Sequence, residues 1–546
     1  MPYRSAEALR HPKALCTKSA AYQERASMGT AKAAPFQTRD PFKPGIPMNF
    51  ESTQPGLANR RNLTLLAVFA ALGVVMSLGT YALSGGFERV GVLPMIALIV
   101  LIAPISVVAF RGVRQGWAYL LELKASWTWW HWLFFLLTFS TLVLRLRDNS
   151  VASANPVDAF AIFRLGPEFI VVVILWLRLR NRETTWRRSM TQGLVGVLAV
   201  FGTVCLVSSV WSVFPAWTLY KSVEILLDIA TVAAILATIQ SAGEIRKVCN
   251  WIWVLYGLDI VVAWMGAAIW PSECLDEMGR LSSVWPVISY NSLGSSSAVV
   301  ALVALARLIS PRGSQGEKSG RAWYMLLLAV GLITLTASQT RNSMAGFIVG
   351  AFVIFIYERK LWVPVLGAVS VALALIFTSL GPRVMQFLAR DQTETQITHM
   401  SARVDWWTFA FQQFMQRPFT GYGAFAAGKF AVLSKLGIEA SQIHSDWMEV
   451  LMGSSFWGLI PFTLAVLGTW WIIGRSYWDK SLTDDERQWL PEIAGIFAAI
   501  TVRSFFNVEM CWHAPFLFLA IVCYAEFLRR QRKGELPQLI ASPSPA

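Results

Sequence analysis

Charge is scarce in this sequence. Only 15% of its 546 residues are Asp, Glu, Lys or Arg, against about 25% in a soluble domain. That shortage excludes an ordinary soluble fold. Cysteine is sparse too: Cys16, Cys205, Cys249, Cys274, Cys511 and Cys523 are scattered and read mostly as small hydrophobes within helices. No Walker-type phosphate loop, Gly-rich dinucleotide fingerprint or Gly-x-Ser-x-Gly elbow occurs, which argues against an ATP-driven pump within this chain. No His, Cys, Asp and Glu cluster has metal-ligand spacing, so neither a metal nor a cofactor is expected. No repeat emerges at a fixed period. The apolar runs lack period-2 alternation, which argues against a β-barrel.

What is abundant is apolar surface. Hydrophobic residues make up 55% of the chain and the mean hydropathy is +0.49. Runs long enough to cross a ~30 Å hydrocarbon core recur. They fall at 63–83, 90–110, 127–144, 157–177, 190–211, 218–240, 248–270, 288–307, 323–339, 343–357, 361–380, 446–474, 490–506 and 511–528. The expected fold is all-α, a polytopic helical membrane protein of about 12–14 transmembrane helices. "WTWWHW" (127–132) reads as an aromatic belt at an interface. Residues 1–60 and 536–546 are polar and read as disordered cytosolic tails; 61–535 form the membrane domain.

Topology accounts for most of the net charge of +14, with no appeal to nucleic acid. With the N-terminus inside, "RLRNRETTWRR", "RLISPRGSQGEKSGR" and "RRQRK" all fall inside, and so do about 33 of the 47 Lys and Arg, as the positive-inside rule requires. One outside loop, 381–445, is long enough to imply function. Within it, "SARVDWWTFAFQQFMQ" (401–416) puts Val404, Trp407, Phe411 and Phe414 at helical spacing. That suggests an amphipathic helix along the membrane surface, as a site element or as a simple lid.

The outer side also collects polar chemistry that topology leaves unexplained. Arg280 and Asn291 stand in one segment, Arg341 at a tight turn, Arg403 in the long loop, and His444 and Glu449 before the next span. Lys221 and Arg503 sit near outer helix ends. Ionisable groups at membrane depth mark sites or pathways. Arginine's planar fork suits phosphate oxygens. Taken singly, each arginine also fits snorkelling to headgroups, although the turn at Arg341 leaves little room for a casual charge. A lone histidine at a helix start is commonly a satisfied one, yet imidazole titrates near neutrality and can take a proton from a sugar hydroxyl. Cys274 and Cys511 both fall outside; two unrelated thiols is the simpler reading, a disulfide the other.

"GRLSSVWPVISYNSLG", "ASQTRNSMAG", "ARVDWWTFAFQQFMQRPFTGYGAF" and "IHSDWMEVLMGSSFWGLI" occur in this order. Together, across about residues 200–470, they resemble the O-antigen ligase and polymerase family of bacterial envelope glycan enzymes. Where the family often reads Glu-x-Gly-x-x-Gly, this chain has "MGSSFWG". The resemblance implies a metal-independent glycosyltransferase in the cell inner membrane, its active site facing the periplasm. The implied donor is a glycan on undecaprenyl pyrophosphate, drawn from the lipid. The acceptor is lipid A–core for a ligase, or another lipid-linked glycan for a polymerase of O-antigen or exopolysaccharide repeats. His444, Arg341 and Arg280 would be catalytic, the histidine as base and the arginines on the leaving pyrophosphate. Arg403, Glu449, Asn291, Lys221 and Arg503 would bind substrate. The rival class is a lipid-linked glycan flippase, which would want charges at the midplane opening to both sides; here they cluster on one side. A catalytically dead binding protein of the same fold is the third possibility.

Overall fold

A computed structural model describes residues 92–128, 131–132, 157, 159–180, 183–239, 241–276, 278–284, 287–310, 320–377, 403–437, 442–511 and 516–535. The expected span 63–83, nearly all of 127–144, both expected tails and residues 381–402 of the long loop lie outside these. Elsewhere the apolar runs fold as helices near their expected positions, mostly within a few residues, although the helix expected at 90–110 runs on to Ala125 and the one expected at 248–270 begins at Ala242. In order they are α1 (Val92–Ala125), α2 (Ala159–Leu179), α3 (Glu183–Thr191), α4 (Gly193–Val207), α5 (Pro215–Thr238) and α6 (Ala242–Ile269). A short α7 (Pro271–Cys274) and a two-residue antiparallel hairpin, β1 (Ser283–Val284) with β2 (Val287–Ile288), lead into α8 (Tyr290–Ile309). Then come α9 (Arg321–Ala337), α10 (Arg341–Tyr357), α11 (Trp362–Phe377), α12 (Arg403–Phe414), α13 (Asp446–Tyr477), α14 (Asp484–Ser504) and α15 (Phe516–Arg532). Caps set several starts: Ser289, Ser445 and Thr483 each accept a backbone N–H of the first turn, satisfying donors a helix leaves orphaned.

Gly193–Trp211, Ala242–Ile269, Tyr290–Ile309 and Asp446–Tyr477 are long and apolar enough to cross a membrane, and α9, α10 and part of α11 are shorter apolar helices. The fold is that of an all-α membrane protein, its strands confined to the one short hairpin among the described residues. On α13, Phe456, Trp457, Ile460, Leu464, Leu467 and Trp471 form an exposed stripe on one face, which only lipid would cover at low cost. The middle of the bundle is α8, 89% buried over its apolar window. It packs against α6, α9, α10 and α14, and its serines and alanines let those helices approach. The tightest pair is α10 with α14, where a Cβ on Gly350 would lie 2.5 Å from the Gly495 carbonyl. That contact sets the start of α10, Arg341, beside the end of α14, Arg503. At the other end of α8, Arg307 forks onto Glu492 of α14 at 2.8 and 3.0 Å and reaches Asn250 of α6 at 2.5 Å.

A second, smaller core forms around α12. Ala410, Phe414, Tyr422, Ala427, Ala431, Val432, Leu433, Ile443 and Met452 make it. The helix expected within 401–416 is therefore present, at Arg403–Phe414, with one face covered by protein. Ala410, Gln413 and Phe414 point inward, while Phe411 is 51% exposed. Of the expected stripe Val404, Trp407, Phe411 and Phe414, only Phe414 is buried; the residues that cover α12 come from its own loop and from α13.

Helix α13 is broken within the span. Ser455 has φ 58° and ψ −158°, a region open in practice to glycine alone. The carbonyls released by the break are taken up by the "PFTGYG" turn: Tyr422 N–H donates to Met452 O and Gly423 N–H to Gly453 O, both at 2.9 Å. The Ser455 hydroxyl donates to Pro418 O. A Cβ on Gly453 would meet Ala424 Cα at 2.8 Å. Two opposite outcomes follow. Gly453→Ala should destabilise the purified protein by about 1–3 kcal/mol, by overpacking against backbone. Ser455→Gly should stabilise it by about 1 kcal/mol, since ~1–3 kcal/mol of strain outweighs one hydrogen bond of ~1 kcal/mol. Thermal unfolding in detergent, compared across both variants, reads the two signs.

Candidate active site

Three short connections and one helix start meet at the end of the bundle opposite Arg307. The 275–289 segment docks onto the turn between α9 and α10: Leu281 N–H donates to Ala337 O at 2.9 Å and the Gln339 side chain to Met278 O at 3.1 Å. Gln339 occupies φ 49°, so the turn that presents Arg341 is held in a strained form. Thr340 then donates to Tyr290 O at 3.0 Å, fixing the start of α8 against the start of α10.

Arg280 is oriented before anything binds. The Asp276 carboxylate accepts from its Nε at 2.5 Å and from the N–H groups of Met278 and Arg280 at 3.0 and 2.9 Å. Partial burial raises the Asp276 pKa, but these hydrogen bonds and the Arg280 charge hold it below its usual value. The Arg280 guanidinium lies 3.8 Å above the Tyr290 ring, a cation–π contact. Tyr290 in turn is close enough to Arg403, the first residue of α12, to favour its charge, while burial and Arg341 oppose it.

His444 closes the circle. It adopts φ 54°, just before the Ser445 cap. Its ring stacks on Trp406 at 6.1 Å and 23°, and Nδ1 lies 3.2 Å from Asn507 Oδ1. Burial first, and the Arg403 charge second, hold its pKa down at about 4, against the hydrogen bond with Asn507. The structure thus links His444 to Arg403, Arg403 to Arg341 and Tyr290, and Tyr290 to Arg280.

The other residues singled out in the sequence are placed differently. Arg503 is 1% exposed, bonded to Glu509 at 2.6 Å and to the Asn291 carbonyl at 3.4 Å. Both therefore stand behind the cluster, Asn291 contributing main chain. Lys221 of α5 is engaged elsewhere, paired with Glu224 and lying 5.6 and 5.4 Å from the Trp217 and Tyr220 rings. Glu449 is buried, its Oε1 accepting Gly428 N–H at 3.1 Å, so it pins the π-helix Ala427–Leu433 to α13. Asp446 does the same on the other flank. Its carboxylate accepts the N–H groups of Glu509, Met510 and Cys511 at 2.8, 3.0 and 3.3 Å, and the Cys511 thiol at 2.9 Å. The two carboxylates after His444 thus anchor the segments beside it. Cys274 and Cys511 are both free and buried, so no disulfide joins them. The Cys511 thiol is taken by Asp446, and Cys274 faces Gly266. Among the described residues, no group of three or more His, Cys, Asp or Glu could hold a metal ion.

Asn507 and Glu509 were not singled out in the sequence. "RSFFNVEMCW" (503–512) carries the signal, an amide and a carboxylate flanked by aromatic and apolar residues at a helix end, where polar groups are costly.

These features define a multi-pass helical membrane protein with a cationic, imidazole-bearing site at one end of its bundle. Residues 325–463 match the O-antigen ligase family model, which supports an O-antigen ligase and polymerase family assignment; members of that family are glycosyltransferase-like enzymes of glycan assembly. The match runs from α9 into α13 and includes Arg341, Arg403 and His444. No curated protein matches the chain.

Proposed function

We propose that this protein is a metal-independent, ligase-like glycosyltransferase of the inner membrane, moving a glycan from undecaprenyl pyrophosphate to lipid A–core on the periplasmic side. The observation that carries the reading is the linkage of one imidazole with three arginines and Tyr290. The acceptor hydroxyl oxygen attacks the anomeric carbon, and the bond from that carbon to the pyrophosphate oxygen breaks. The hydroxyl proton passes to His444. The departing undecaprenyl pyrophosphate carries the developing negative charge, which Arg280, Arg341 and Arg403 are placed to neutralise. The sugar–pyrophosphate bond supplies the drive, so no nucleotide takes part. A polymerase would share every step and differ only in the acceptor.

The test is transfer by the purified protein from a lipid-linked glycan to lipid A–core, with chelator and without nucleotide. Transfer only to a second lipid-linked glycan would make it a polymerase. No transfer to either acceptor, with movement of the lipid between leaflets, would make it a flippase. Orientation has its own check: reporter fusions at Gly316 and Gly428 should report opposite faces of the membrane, and the same face for both would overturn the topology.

The same charges give a pH signature. His444 must be unprotonated to act, and its pKa in the free protein is about 4. Transfer measured as kcat/KM, which reports the free enzyme, should stay level from neutral pH and fall as pH drops through about 4. A bound pyrophosphate would cancel the Arg403 charge, so the acid limb of kcat should lie at higher pH than that of kcat/KM. Arg403→Gln should move the kcat/KM limb upward. If that limb stays in place, Arg403 does not act on His444.

A further inference from the structure

We infer that Asn507 is the positioning residue of His444, holding its ring proton on Nδ1 so that the Nε2 lone pair is left for the acceptor hydroxyl. This inference rests on the proposed role of His444 as base.

Arg503 stands at the base of the arrangement. Its Nη2 lies 2.6 Å from Glu509 Oε1, an ion pair with the arginine side chain 1% exposed. The same carboxylate oxygen lies 2.5 Å from the Asn507 amide. A carboxylate paired to a guanidinium only accepts, so the Asn507 atom facing it is the NH2 group. The other end of the amide is then the carbonyl oxygen. That oxygen accepts from Gln442 Nε2 at 3.3 Å and faces His444 Nδ1 at 3.2 Å. Two carbonyl lone pairs meet two donors only if Nδ1 carries a proton. In the neutral ring Nε2 is then bare. The amide's two chemically distinct ends convert a fixed charge on Glu509 into a fixed tautomer on His444.

Two further contacts make the arrangement rigid. Ser295 of α8 donates to Glu509 Oε2 at 3.2 Å, and Asp446 holds the Glu509 and Met510 N–H groups. The Trp406 ring stacked on His444 limits its rotation. Arg503 and Glu509 thus act through Asn507, and Arg503, expected to bind substrate, becomes part of the support for the base. Among the described residues, Arg403 from α12 is the charge that acts directly on His444; the other charged groups of its neighbourhood are Arg280 before α8, Arg341 from α10, Asp446 and Glu449 from α13, and Glu509 with Arg503 from the end of α14 and its following loop.

The test needs no donor lipid. The full-length protein in detergent is labelled with 15N-histidine; it has five histidines, and His444→Gln assigns the signal. At neutral pH the wild-type ring should be neutral and protonated on Nδ1. Asn507→Ala should shift the population to Nε2–H, the tautomer free histidine prefers in water. The exchanged pair Asn507→Asp with Glu509→Gln conserves charge, keeps Nδ1–H, and should raise the pH of ring protonation by about a unit or more, because a carboxylate replaces the carbonyl. It also covers the case in which Asn507→Ala fails to fold. A wild-type ring protonated on Nε2, or the same tautomer in wild type and Asn507→Ala, would overturn the inference, and so would an exchanged pair that titrates like wild type. In the transfer assay Asn507→Ala should lower kcat about 10–100-fold, the usual cost of a lost orienting partner, with KM unchanged and recovery in the exchanged pair. If the tautomer shifts as expected and kcat does not, positioning stands and the base reading of His444 fails.

Discussion

Glycan transfer by His444→Ala is expected to fall about 10²–10⁴-fold, the span of a lost general base, with the protein still inserted and abundant. The separation of these effects follows from where the ring sits. It does not belong to the main hydrophobic core, and the neighbouring carboxylates that tie the segments together, Asp446 and Glu449, make their bonds without it. One complication is the backbone. His444 holds φ 54°, and alanine there carries strain of about 1 kcal/mol. His444→Asn is the better companion, since asparagine tolerates the left-handed region but cannot take a proton. Both variants should be inactive, and the asparagine form should unfold at close to the wild-type temperature. Wild-type transfer by His444→Asn would reduce the histidine to a residue that shapes the start of α13.

The fold was legible because its signals are local. Apolar length alone located most of the helices, and α8, the most buried of the four long apolar spans, is also the helix richest in small residues. What could not be read was direction around an axis. Which face of α12 the protein itself covers was hidden because that cover comes from Tyr422, Val432 and Met452, 8 to 38 positions beyond Phe414. The site was legible by residue type, since arginine and histidine are conspicuous in oily sequence. Their company was not. Arg503 looked like a ligand for phosphate because nothing in its own helix neutralises it; its partner, Glu509, lies beyond the helix end. Lys221 is the opposite case: its partner Glu224 stands one turn away in its own helix, a spacing that could have been noticed. Glu449 drew attention as a carboxylate after a histidine, and Asp446 stands beside it. Their work is to satisfy backbone N–H groups of distant segments, which no spacing within one helix reveals.

Arg341→Lys is expected to lower kcat/KM by about 10²-fold, nearly as much as Arg341→Gln, which should lose about 10²–10³-fold, as for a deleted transition-state donor. The charge survives in lysine, so a purely cationic requirement predicts little change. The geometry predicts otherwise. Arg341 is the first residue of α10, presented by a strained three-residue turn that Thr340 fastens to the start of α8. A side chain so placed approaches a ligand from one direction, and the planar fork can engage two oxygens of one phosphate there. The ammonium of lysine is a single strongly hydrated point on a flexible stem, and it would pay desolvation without gaining the second bond. Close by, Arg403 already loses stability as a charge through burial and through Arg341 itself, so two guanidiniums are held together against their repulsion. An anion with several oxygens resolves that conflict, and pyrophosphate has them. Salt should separate the two accounts. If only charge matters, Arg341→Lys and wild type should lose activity in parallel as ionic strength rises. If the fork matters, the lysine form should be slow at low salt, where a point charge is at its strongest. Equal rates for Arg341→Lys and wild type at low salt would remove the bidentate clamp from the mechanism and leave Arg341 as one charge among three.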